Sequence, residues 1–140
     1  MDFRYFLLRE SLIYTAIVLD GKSQRLLLDK VLPLVQEASG WKPLSHHMTI
    51  NLGPFKPELN NPQILGQQKE MRVTHLGKSN LVAAVRVECD VRTVNDGGLA
   101  GKHITLAVNQ ADGGKPFLSN EIKDWISIPS LTLVGMVQEI

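Results

Sequence analysis

The 140-residue chain carries 15 Lys and Arg against 14 Asp and Glu, and 44% of it is apolar. That length suits one domain with its own core, and a formal charge of +1 excludes a grip on extended nucleic acid through many phosphates, though not on a nucleotide or an RNA end. No apolar run reaches the roughly 18–20 residues that span a bilayer, residues 1–10 lack the apolar stretch of a secretory signal, and the single cysteine, Cys89, forms no internal disulfide, so a cytoplasmic protein without a membrane partner is expected.

Residues 1–12 mix charges with Phe3, Tyr5 and Phe6, which read as a short strand or a docked arm. Residues 13–20 (IYTAIVLD) are rich in β-formers and end at the turn signal Asp20-Gly21, which predicts the first strand. Ser23 is the expected N-cap of a helix running to about residue 39, with Gly40 as its stop signal. Leu26, Leu27, Val31, Leu34, Val35 and Ala38 form its apolar stripe, and Pro33 should kink or split it.

Trp41-Lys42-Pro43 then leads into a strand over 46–52. Residues 54–63, with three prolines, predict a loop, and a short helix or turn follows over 64–70. The runs 71–76 and 81–88 around Gly77-Lys78-Ser79-Asn80 predict a hairpin. A Gly-rich loop over 95–101 precedes a strand over 102–108. Ser119 is the expected cap of a short helix reaching Trp125, and the last strand lies within 128–140. The pattern is α+β, dominated by antiparallel pairing.

Two of these strands repeat a motif. His47-Met48-Thr49-Ile50 and His103-Ile104-Thr105-Leu106 both read His, apolar, Thr, apolar. Side chains alternate along a strand, so each motif sets an imidazole and a hydroxyl on one face and two apolar side chains on the other. Two such strands facing each other would gather two imidazoles and two hydroxyls. That inventory suits acid–base work on a phosphodiester. The repeat also predicts two lobes of similar build, each donating one motif strand to a shared cleft.

The paired motifs resemble the signature of the 2H phosphoesterase superfamily, which includes RNA 2′,3′-cyclic phosphodiesterases. The likeness is specific at those eight residues and, as an order of elements, runs from about residue 13 to the end. It implies a single domain over 1–140 with a bilobal α+β fold, in which two antiparallel sheets flank a central cleft with helices outside. It implies hydrolysis of 2′,3′-cyclic phosphates or related nucleotide and oligonucleotide phosphodiesters, without metal or cofactor. His47 and His103 would be catalytic, and Thr49 and Thr105 would hold the phosphate. If the product is a 2′-phosphate, His47 is the expected acid and His103 the expected base. The alternative is a non-catalytic module that binds a nucleotide or an RNA end in the same pocket, because binding and chemistry would use the same four side chains.

Other residues carry less. Tyr14 has two readings, a contact to base or phosphate and core packing. Lys115 also has two, an anion contact and a solvated turn. Strand alternation places His46 on the face opposite His47, outside the site, and His75 reads as structural. The Gly-Lys-Ser strings at 21–23 and 77–79 lack the glycine five residues earlier that a phosphate loop requires. The four histidines have no Glu or Cys at zinc-site spacing. The sequence leaves the oligomeric state open.

Overall fold

The computed structural model describes residues 14–140; the arm expected at 1–12 lies outside the described residues. The described residues hold seven strands: β1 (Tyr14–Leu19), β2 (Lys42–Pro43), β3 (His47–Leu52), β4 (Gln68–Lys78), β5 (Val82–Glu88), β6 (His103–Val108) and β7 (Asp124–Glu139). All pair antiparallel. The order β6-β3-β1-β7-β4-β5 returns to β6 through the β5–β6 pairing, and β2 lies along β6. The α+β protein is therefore built on one closed barrel. This corrects the expectation of two separate sheets: β6 pairs with β5 on one side and β3 on the other, which removes the free edges that would divide the sheet.

Closure is uneven. β4 and β7 are matched from Gln68 opposite Met136 to Lys78 opposite Asp124. β3 and β6 meet at one register pair, Met48 opposite Ile104. The two motif strands thus flank the loosest seam of the barrel. Inside, Ile17, Met48, Ile50, Val73, Val85, Ile104, Leu106 and Leu133 are fully buried. Each such side chain contributes about 1.5–3 kcal/mol through its removal from water.

The helical segment differs from its expected form. Asp20, not Ser23, caps it: the Asp20 carboxylate accepts the Ser23 N–H at 2.8 Å. Ser23 lies inside the first turn, buried, and its hydroxyl accepts the Val134 N–H at 2.8 Å, which ties the segment to β7. The α-helix α1 (Gly21–Leu26) widens to a π turn over Leu27–Val31, then tightens to 3-10 turns over Leu32–Leu34 and Gln36–Ala38. Pro33 has no N–H to continue the α ladder. The break rotates Leu34 out to 57% exposure, while Leu27, Val31, Val35 and Ala38 stay in the core.

Two other short elements change character. The turn before β4 is a 3-10 turn at Pro62–Ile64. The segment expected as a helix from Ser119 is a 3-10 turn over Pro116–Glu121, with Ser119 buried within it and Trp125 already in β7. Among the described residues no helix is long and apolar enough to cross a membrane.

Candidate active site

The two motifs repeat in the backbone as well as in the sequence. Thr49 lies opposite Ala16, and the next pair, Thr15 with Asn51, skips Ile50. Thr105 lies opposite Ala84, and the next pair, Ala83 with Ala107, skips Leu106. Each motif therefore carries a β-bulge at its fourth residue, a device that bends a strand and re-aims its side chains. Each Thr faces an alanine, the smallest neighbour that still has a Cβ. The repeat also reaches upstream. Ser45 and Gly101, each two residues before a motif His, have φ of 49° and 62°.

This geometry turns the polar halves of both motifs outward. Met48, Ile50, Ile104 and Leu106 enter the core. His47, Thr49, His103 and Thr105 line one cleft of about 580 Å³, a volume that suits a small ligand. Tyr14, Leu44, Leu52, Val94 and Phe117 supply apolar walls, and Asn95, Ser119 and Asn120 add polar groups. All four expected motif residues are brought together.

The second half of the site is tightly held. His103 Nδ1 lies 2.7 Å from the Gly101 carbonyl. A carbonyl only accepts, so Nδ1 carries the hydrogen and Nε2 is left for the cleft. Arg86, opposite His103 in the β5–β6 register, donates to the carbonyls of Ala100 at 3.1 Å and Leu99 at 2.8 Å. Its guanidinium also sits 4.4 Å from the centre of the Trp125 ring. Asp96 and Lys102 pair at 3.0 Å. The loop over 95–101 is thus stapled at both ends and presents the carbonyl that orients His103.

The two hydroxyls differ. Ser119 Oγ lies 2.7 Å from the Pro116 carbonyl and 3.0 Å from Thr105 Oγ1. Ser119 gives its hydrogen to the carbonyl, which leaves it an acceptor for Thr105. Thr49 Oγ1 has no hydrogen-bond partner among the described residues and is free for a ligand.

The two imidazoles also differ. Burial first, then the nearby charges of His46 and His103, push His47 down to about 4. His103 is also lowered by burial and by Arg86, but the Gly101 carbonyl works the other way by favouring its charged form. Burial thus disfavours a proton on both rings, and of the two only His103 has a neighbour that favours one.

Tyr14 lines the cleft rather than the core and packs on His47 with ring centroids 4.8 Å apart. Burial raises its phenol, which stays protonated and able to donate. Lys115 is exposed on the turn just before the cleft-lining Pro116 and does not itself line the cleft. His75 bonds Thr74 in β4, outside the site.

Sequence reasoning missed two residues. Ser119 was legible only as a cap. His46 was assigned to the opposite face, yet it lines the cleft with its Nδ1 3.0 Å from that of His47. β3 begins at His47, so His46 lies ahead of the strand and its alternation does not extend to it. Among the described residues no group of three or more His, Cys, Asp or Glu is placed to hold a metal ion. No protein-family model matches the chain, and no curated protein matches it.

Proposed function

We propose that the protein is a phosphodiesterase that hydrolyses 2′,3′-cyclic phosphates or related nucleotide phosphodiesters by two-histidine acid–base catalysis. The observation that carries this reading is the convergence of both His-x-Thr pairs, from two identically bulged strands, on one cleft. Neutral His47 takes a proton through Nε2 from a water as that water attacks phosphorus in line. As the bond from phosphorus to the ribose oxygen breaks, His103 gives its proton to that oxygen. The anionic substrate itself raises the proton affinity of His103 on binding. Thr49 donates to a non-bridging oxygen where charge develops. Thr105 joins it by turning its hydrogen from Ser119 to the phosphate.

The bilobal arrangement implied by the resemblance is read as two three-stranded halves of the barrel, β3-β1-β7 and β6-β5-β4. They are joined along β4–β7 and part at the β3–β6 seam. The chemistry uses only imidazoles and hydroxyls, so it should run in EDTA.

The test incubates the purified protein with nucleoside 2′,3′-cyclic monophosphates in EDTA and separates the products. Turnover should fall on the order of 10²–10⁴-fold in each of His47→Ala and His103→Ala, the usual worth of a general acid or base. Near-normal turnover in either variant would refute the mechanism. Tight binding with no product would assign the cleft to a nucleotide-binding module instead.

A further inference from the structure

The half-sites share a backbone plan but differ in what holds each imidazole. His103 Nδ1 meets the Gly101 carbonyl. The residue in the same place before the first motif is Ser45, yet His47 Nδ1 meets the Nδ1 of His46 at 3.0 Å, with the two rings nearly perpendicular at 81°. Ser45 itself is held by β6. Its N–H bonds the Thr105 carbonyl at 3.0 Å and its buried hydroxyl bonds the Leu106 carbonyl at 3.2 Å. These bonds hold a non-glycine residue at φ 49°, a region such residues rarely occupy. His46 follows it, ahead of β3, and lines the same cleft as His47.

Two Nδ1 atoms in contact can hold one hydrogen between them, so one ring donates and the other accepts. His46 is exposed, and a hydrated neutral imidazole favours the Nε2–H form, which leaves Nδ1 as an acceptor. We propose that His46 is a positioning residue: its Nδ1 accepts the Nδ1–H of His47 and so keeps His47 Nε2 unprotonated toward the cleft. This rests on the reading of His47 as the base.

A consequence separates His46 from a plain structural contact. A carbonyl accepts at every pH, but an imidazole that gains a proton becomes a donor at both nitrogens. Protonated His46 then donates from Nδ1, and His47 must shift its own hydrogen to Nε2. In that form His47 cannot take a proton from water. Among the described residues, the titratable groups facing His47 are His46, His103 on β6 and Tyr14 on β1. Of these, His46 alone bonds its Nδ1.

The experiment uses the whole chain with ¹⁵N-labelled histidine and reads the His47 tautomer by long-range ¹H–¹⁵N correlation near neutral pH. Wild type should show Nδ1–H. His46→Phe keeps a ring but removes the acceptor; His47 should relax toward Nε2–H, and kcat should fall about 10–100-fold with KM little changed, the usual cost of losing an orienting partner. His46→Gln keeps an acceptor oxygen and should restore both the tautomer and most of kcat. An unchanged His47 tautomer in His46→Phe overturns the proposal. A changed tautomer with unchanged kcat keeps the positioning but removes His47 from the chemistry, which separates failure of this inference from failure of the proposed function.

Discussion

Acidification probes the electrostatics of the cleft without any substrate. Folded His47 takes its proton at about 4, whereas an unfolded histidine does so near ~6.5. Between these values the unfolded chain binds the proton and the folded chain refuses it. Stability linked to His47 is therefore complete above the unfolded value and is lost as pH falls toward the folded one. Each pH unit in that window is worth about 1.4 kcal/mol at most. The folded state should give up roughly 2 kcal/mol by about pH 5 and roughly 3 kcal/mol by about pH 4. His103 adds a loss in the same direction. The lowered carboxyls of Asp20, Glu37 and Asp96 add theirs only at more acid pH. The comparison of wild type with His47→Gln isolates the His47 share. Urea unfolding followed by Trp41 and Trp125 fluorescence at about pH 7.5 and about pH 5 gives both stabilities. Wild type should lose roughly 2 kcal/mol more than the variant. Equal losses would show that His47 is not held neutral by the fold, and the assignment of His47 as base would fall with it.

Four substitutions test other parts of the architecture. Thr49→Val should reduce kcat on the order of 10²-fold, as loss of one transition-state donor does, without a stability change, whereas Thr105→Val should also lower stability by about 1 kcal/mol because it breaks the Ser119 bond. Equal stability of the two variants in urea would contradict the asymmetry between the hydroxyls. Arg86→Met removes two carbonyl bonds and the stacking on Trp125, so amide exchange over 95–101 should accelerate; unchanged protection would mean that the loop is held by other contacts. Gly135→Ala would place a Cβ 2.6 Å from both Ile17 Cγ2 and the Val18 carbonyl, and the overpacking should cost about 1–3 kcal/mol, read from the urea midpoint.

The sequence revealed what periodicity encodes and hid what tertiary bonds decide. The hairpin of β4 and β5, both motif strands and the four inward apolar residues of the motifs followed from alternation and turn residues. The single closed sheet did not, because closure depends on β6 finding a partner on each side, and no local pattern reports that. Ser23 looked like a cap because Ser commonly caps helices, but Asp20 stands three residues earlier with a stronger acceptor, and Ser23 was taken by β7 instead. His46 was misplaced because strand alternation was extended to a residue that lies ahead of β3. A serine at positive φ carries no sequence mark of the kind a glycine would, and only its two bonds to β6 explain it.

A two-histidine site faces a difficulty that a symmetric repeat makes worse. General acid and general base must hold different numbers of protons at the same pH, so two identical imidazoles in one cleft would compete for the same one. Here the strands, the bulges and the facing alanines are duplicated, and they do not separate the pair. The separation comes from the residues just ahead of each motif. On the second strand, Gly101 offers a carbonyl, a fixed acceptor that supports the imidazolium of His103. On the first, His46 takes that role, and a proton on His46 opposes one on His47. Changing an orienter, rather than a motif histidine, should therefore narrow the gap between the two half-sites. His46→Gln supplies a neutral acceptor to His47 and should raise its proton affinity toward that of His103. Titration of both rings by NMR would show their values converging, and values as far apart as in wild type would place the source of the asymmetry elsewhere in the cleft.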